Sequence, residues 1–114
     1  MKLYIKGSRM SYHELQETIR PIGQEISQAL RTSTEFSAWP AHSKDNGDGT
    51  VRIGFGFGIF DGTPAPSAKE ARKAVVDAIN QCSPELQSRV VKITCGYDGD
   101  RGVTWPVVNV TVRL

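Results

Sequence analysis

The sequence predicts an α+β fold. A mainly antiparallel sheet of about five strands, in the order β-α-β-β-α-β-β, carries two helices on one face, a sandwich of the ferredoxin-like type. Three observations lead there. Two segments place apolar residues at helical spacing behind a serine-headed capping box. Several short segments alternate apolar and polar residues. Joints rich in Asp, Asn and Gly then separate those strands into pairs.

Lys2–Lys6 alternates, with Leu3 and Ile5 on one side and Lys2, Tyr4 and Lys6 on the other, and Gly7 closes the strand. Ser11 stands three residues before Glu14, the spacing of a capping box. From there Tyr12, Leu15, Ile19, Ile22, Ile26 and Leu30 step by three and four along one helix face. Pro21 removes a backbone donor inside this run, and the unbroken stripe predicts a single kinked helix. Glu35–His42 is a weaker strand, with Pro40 marking it as an edge. The run DNGDG at 45–49 favours positive φ and joins this strand to 50–60 as a hairpin.

After the stiff loop GTPAPS, Ser67 and Glu70 form a second capping box. The helix behind it carries Ala71, Val75, Ala78, Ile79 and Cys82 on one face, and Ser83-Pro84-Glu85 opens a short extra turn. Two strands finish the chain. Val91, Ile93 and Cys95 define the apolar face of one, and Val108, Val110, Val112 and Leu114 that of the other, with GYDGDRG between them as a hairpin connection.

The segment VRIGFGFGIF, residues 51–60, is the most unusual. Val51, Ile53, Phe55, Phe57 and Ile59 share one face, while Arg52, Gly54, Gly56, Gly58 and Phe60 share the other. Gly54-Phe55-Gly56-Phe57 with Phe60, together with LYIKGS at 3–8, resembles the two signature strands of the RNA recognition motif family. That resemblance implies an open face on which Tyr4, Phe55 and Phe57 stack on RNA bases. Burial argues for the opposite phase. Each large apolar side chain buried is worth about 1.5–3 kcal/mol, so the heavy face is expected under the helices. The glycines then look away from the helices, and Tyr4, Lys6, Arg52, Gly54, Gly56, Gly58, Lys92 and Arg113 make the candidate binding face.

Composition bounds the function. At 114 residues and 39% apolar, one α+β domain spanning 1–114 is expected. No run approaches a membrane span, and MKLYIKGSRM returns to charge too soon for a signal peptide, so a cytoplasmic protein without membrane contact is expected. Two cysteines, Cys82 and Cys95, are read as free thiols rather than a disulfide framework. His13 and His42 are read as surface residues, and Asp45, Asp48, Asp98 and Asp100 as turn formers rather than metal ligands. Trp39 and Trp105, each before a proline, are read as packing plugs over the core edge, with a partner-anchoring role as the alternative.

No catalytic constellation, metal site or cofactor motif emerges, so no enzyme activity and no cofactor are expected. The leading expectation is a small non-catalytic binding or regulatory module. It would meet a protein partner, or a second copy of itself, through the open sheet face or a sheet edge. The alternative is a single-stranded nucleic-acid binder, which the net charge of +2 permits.

Overall fold

The computed structural model describes residues 10–58 and 65–114. Each helix begins where its serine cap predicts. Helix α1, Tyr12–Ser33, is headed by Ser11, whose hydroxyl accepts from the Glu14 N–H while the Glu14 carboxylate accepts from the Ser11 N–H. It runs through Pro21 without interruption and buries Leu15, Ile19, Ile22, Ile26 and Leu30. Tyr12, expected at the head of that stripe, is exposed instead, and Met10 ahead of the helix packs against the core. Helix α2, Ala68–Ile79, repeats the capping box with Ser67 and Glu70 and buries Ala71, Ala74, Val75, Ala78 and Ile79. The predicted extra turn is helix α3, Pro84–Arg89, capped by Ser83. The Glu25 carboxylate of α1 also accepts from the Ser83 N–H at 2.6 Å, tying α1 to the start of α3.

Four antiparallel strands form the sheet among the described residues: β1 Ala38–Asp45, β2 Thr50–Phe57, β3 Val90–Asp100 and β4 Val103–Arg113. Their spatial order is β1-β2-β4-β3, so the last strand lies between the second and third. The strand expected at residues 2–6 falls outside the described residues. The α+β class holds, and the helices cover one face of the sheet as expected.

The heavy face of β2 is the core. Val51, Ile53, Phe55 and Phe57 are at most 3% exposed and meet Val108, Val110 and Val112 of β4 beneath the helices. The phase implied by the RNA-recognition-motif resemblance, with Phe55 and Phe57 on the open face, is therefore overturned by burial of the rings.

Two register shifts redirect side chains. In β1, Pro40 faces Phe55 and Ser43 faces Ile53, so Ala41 and His42 together oppose Gly54 as a bulge. In β3, Val90 faces Val112 and Lys92 faces Thr111, leaving Val91 as the extra residue. Val91 is accordingly exposed rather than part of the core face expected of it.

The hairpin β3–β4 is longer than its turn-rich sequence suggested. Pairing of β2 with β4 ends at Gly56 and Val107, whereas β3 and β4 stay paired out to Asp100 and Val103. Residues 97–106 thus continue as a two-stranded ribbon beyond β2. Its turn is only Arg101 and Gly102, with φ of 52° and 79°, the two positive values a tight type I′ hairpin requires.

Candidate functional site

The face of the sheet turned away from the helices is organised in rows, because residues paired across antiparallel strands share a face. One row runs Lys44–Arg52–Thr111–Lys92 across all four strands. The next holds Gly54, Asn109 and Thr94, with the β1 bulge beside it, and the third runs Trp39–Gly56–Val107–Gly96. Trp105 and Asp98 lie one row further out. One end of the face is therefore basic, its middle amide and hydroxyl, and its far end aromatic.

The glycines of β2 are not an empty floor. A Cβ on Gly56 would stand 2.6–2.8 Å from three ring atoms of Trp39, so the indole rests on the Gly56 backbone. A Cβ on Gly54 would meet the His42 imidazole at 2.9–3.0 Å and Asn109 Oδ1 at 3.1 Å. The bare positions of β2 accommodate side chains from β1 and β4. Trp39 and Trp105 also come together, their ring centroids 6.3 Å apart and their planes tilted by 58°. The two Trp-Pro sites are thus one aromatic pair on the open face, not separate plugs at the core edge.

Of the candidate face residues, Arg52, Gly54, Gly56 and Lys92 share this surface, Gly54 and Gly56 as its covered floor. Gly58 lies just past the end of β2, buried, its N–H donating to the Ser37 carbonyl at 3.0 Å. Arg113 is drawn aside: its guanidinium donates to the Ser88 carbonyl of α3, while Arg89 Nε donates to the Arg113 carbonyl at 2.9 Å. Tyr4 and Lys6 fall outside the described residues. Sequence reasoning missed His42, Lys44, Asn109 and Thr111 as parts of this face, and held Trp39 and Trp105 as partner anchors only in the alternative. The register of the DNGDG hairpin, which sets Lys44 opposite Arg52, was the available signal for one of them.

The electrostatics of this face are one-sided. Lys44 and Lys92 are exposed, Arg52 is half-buried, and none of the three makes an ion pair among the described residues. Among the described residues, the carboxylates of the strands that share this side, Asp98 and Asp100, sit out on the ribbon. Two polar atoms in the middle of the face are buried without a hydrogen-bond partner among the described residues: Arg52 Nε, a donor, and Asn109 Oδ1, an acceptor.

Elsewhere the chemistry is sparse. Both cysteines are free. Burial pushes the Cys82 thiol up, helped by the Glu25 carboxylate, and burial also raises Cys95, against the opposing charge of Arg72. Among the described residues no group of three or more His, Cys, Asp or Glu side chains is placed to hold a metal ion, and no helix is long and apolar enough to cross a membrane. A groove of about 870 Å³ runs between α1 and β1, lined by residues such as Gln16, Gln24, Arg31 and Pro40. Its charged lining is Arg20, Arg31 and Glu35.

Neither a protein family, nor a curated protein, nor a solved structure matches the chain.

Proposed function

We propose that this chain is a small non-catalytic binding module that takes a single-stranded nucleic acid across its open sheet face. The observation that carries this reading is the row Lys44–Arg52–Thr111–Lys92, three cations with no facing carboxylate among the described residues, two rows from Trp39 and three from Trp105. Strands lie about 4.8 Å apart, so Lys44 and Lys92 are separated by roughly 14 Å, a span that follows a phosphate backbone laid across the strands. Bases then turn toward the aromatic end, where stacking is tolerant of sequence. The ferredoxin-like-type sandwich of about five strands belongs to the same proposal.

The test is titration of a labelled single-stranded oligonucleotide at several salt concentrations. Phosphate contacts by Lys44 and Lys92 predict a slope of roughly 1.4 in log Kd per log unit of salt, about 0.7 for each contact. Lys44→Ala and Lys92→Ala should each lower that slope by about 0.7. Absence of binding even at low salt defeats the reading.

A protein partner or self-association is the second reading, and the ribbon at 97–106 favours it. Tyr97 and Val103 are exposed there, and β3 is a sheet edge among the described residues. A mass in solution corresponding to a dimer, lost on Tyr97→Ser, would support it.

A further inference from the structure

We infer that Asn109 and Arg52 are a hydrogen-bonding pair that reads the edge of one nucleobase, and that the remaining cations of the face serve only the backbone. The inference rests on the nucleic-acid reading above and assigns a specificity site within it. Gly54 pairs with Asn109 and Arg52 with Thr111, so Arg52 and Asn109 are diagonal neighbours on one face of adjacent strands, within reach of a single planar ligand.

Their unused atoms are complementary to such a ligand. Asn109 Oδ1 needs a donor and Arg52 Nε needs an acceptor, and among the described residues both are sequestered without one. A phosphate offers acceptors only and would leave Asn109 Oδ1 orphaned. A base edge sets an N–H next to a ring nitrogen or carbonyl and answers both atoms at once. The His42 imidazole crosses Gly54 beside Asn109 Oδ1. It is carried by an exposed residue on a bulge of β1, an edge of the sheet among the described residues. Seating a base therefore requires that this ring swing outward.

The experiment separates charge from hydrogen bonding. Arg52→Lys keeps the positive charge and loses the planar Nε–H, and Asn109→Leu keeps the volume and loses the acceptor. Each should weaken a base-bearing oligonucleotide by about tenfold, the scale of one good base contact, with the salt slope unchanged. Neither should alter binding of an abasic oligonucleotide of the same length. His42→Ala, a surface change that leaves both polar atoms in place, should tighten the base-bearing ligand and leave the abasic one alone. The assignment is overturned if Arg52→Lys and Asn109→Leu bind like the parent, or if either weakens both ligands equally. It is overturned too if His42→Ala weakens the base-bearing ligand. Absence of binding by any oligonucleotide removes the functional reading itself, a result distinct from binding that ignores Asn109.

Discussion

The indole of Trp39 rests on Gly56, with three ring atoms 2.6–2.8 Å from the point a Cβ would occupy. Glycine is needed there for close approach and not for backbone conformation, since the strand is extended. Gly56→Ala should force the ring to shift and destabilise the fold by about 1–3 kcal/mol, the usual range for overpacking. Urea unfolding should show a lower midpoint with an unchanged slope, accompanied by a change in native tryptophan fluorescence. Gly54→Ala should cost less, because the exposed His42 can move aside more freely than a half-buried indole.

Burial of Phe55 and Phe57, both fully inaccessible to solvent, makes the core phase directly measurable. Either substitution by alanine should cost about 3–5 kcal/mol in equilibrium unfolding. A loss below about 1 kcal/mol would place the rings outside the core.

The start of α2 gives a pH-dependent prediction. Hydrogen bonds from the Ser67 N–H and its side chain hold the Glu70 carboxyl below its ordinary range. A depressed carboxyl stabilises the fold above its unfolded pKa and loses that contribution as pH falls through the lowered folded value. Ser67→Ala should cost about 0.5–2 kcal/mol at neutral pH through loss of the cap. In Glu70→Gln, the acid limb of the stability profile should be shallower than in the parent.

For the buried thiol the sign is opposite. Burial and the Glu25 carboxylate favour the protonated form of Cys82, so its contribution is full below the ordinary thiol pKa and lost as pH rises through the elevated folded value. Iodoacetamide at neutral pH should modify native Cys82 far more slowly than the urea-unfolded chain. Cys95, half-buried and beside the Arg72 charge, should react first. Rapid native labelling of Cys82 would contradict this placement.

Local signals were readable in the sequence, and relations between strands were not. Ser11 with Glu14 and Ser67 with Glu70 announce their helices because a capping box closes within four residues. Phe55 and Phe57 announce the core because alternation assigns them a face and burial chooses it. The bulge at Ala41–His42 depends on how β1 meets β2, and no residue near it signals an extra position. The same is true at Val91, where a simple alternation points the wrong way. Gly96, Asp98, Gly99 and Asp100 favour turns in isolation, yet they pair as strand because β4 offers a complete ladder beside them. The basic row of the candidate site was hidden for a related reason. Arg52 and Lys92 come into line only because β4 lies between their strands.

That position of β4 has a consequence for how the protein is made. Chains are synthesised at about 5–20 residues per second from the N-terminal end, and domains fold as units. Both helices of the core layer and the β1–β2 hairpin emerge first, but β2 and β3 have no ladder between them until Val103–Arg113 arrives. Until then Val51, Ile53 and Phe55 lack the valines that face them. Between the emergence of β2 and that of β4 the nascent chain therefore carries a strongly apolar strand paired on one side only, a period when chaperone binding or edge-to-edge aggregation competes with folding. Among the described strands, joining β2 to β3 is a single event governed by the arrival of β4.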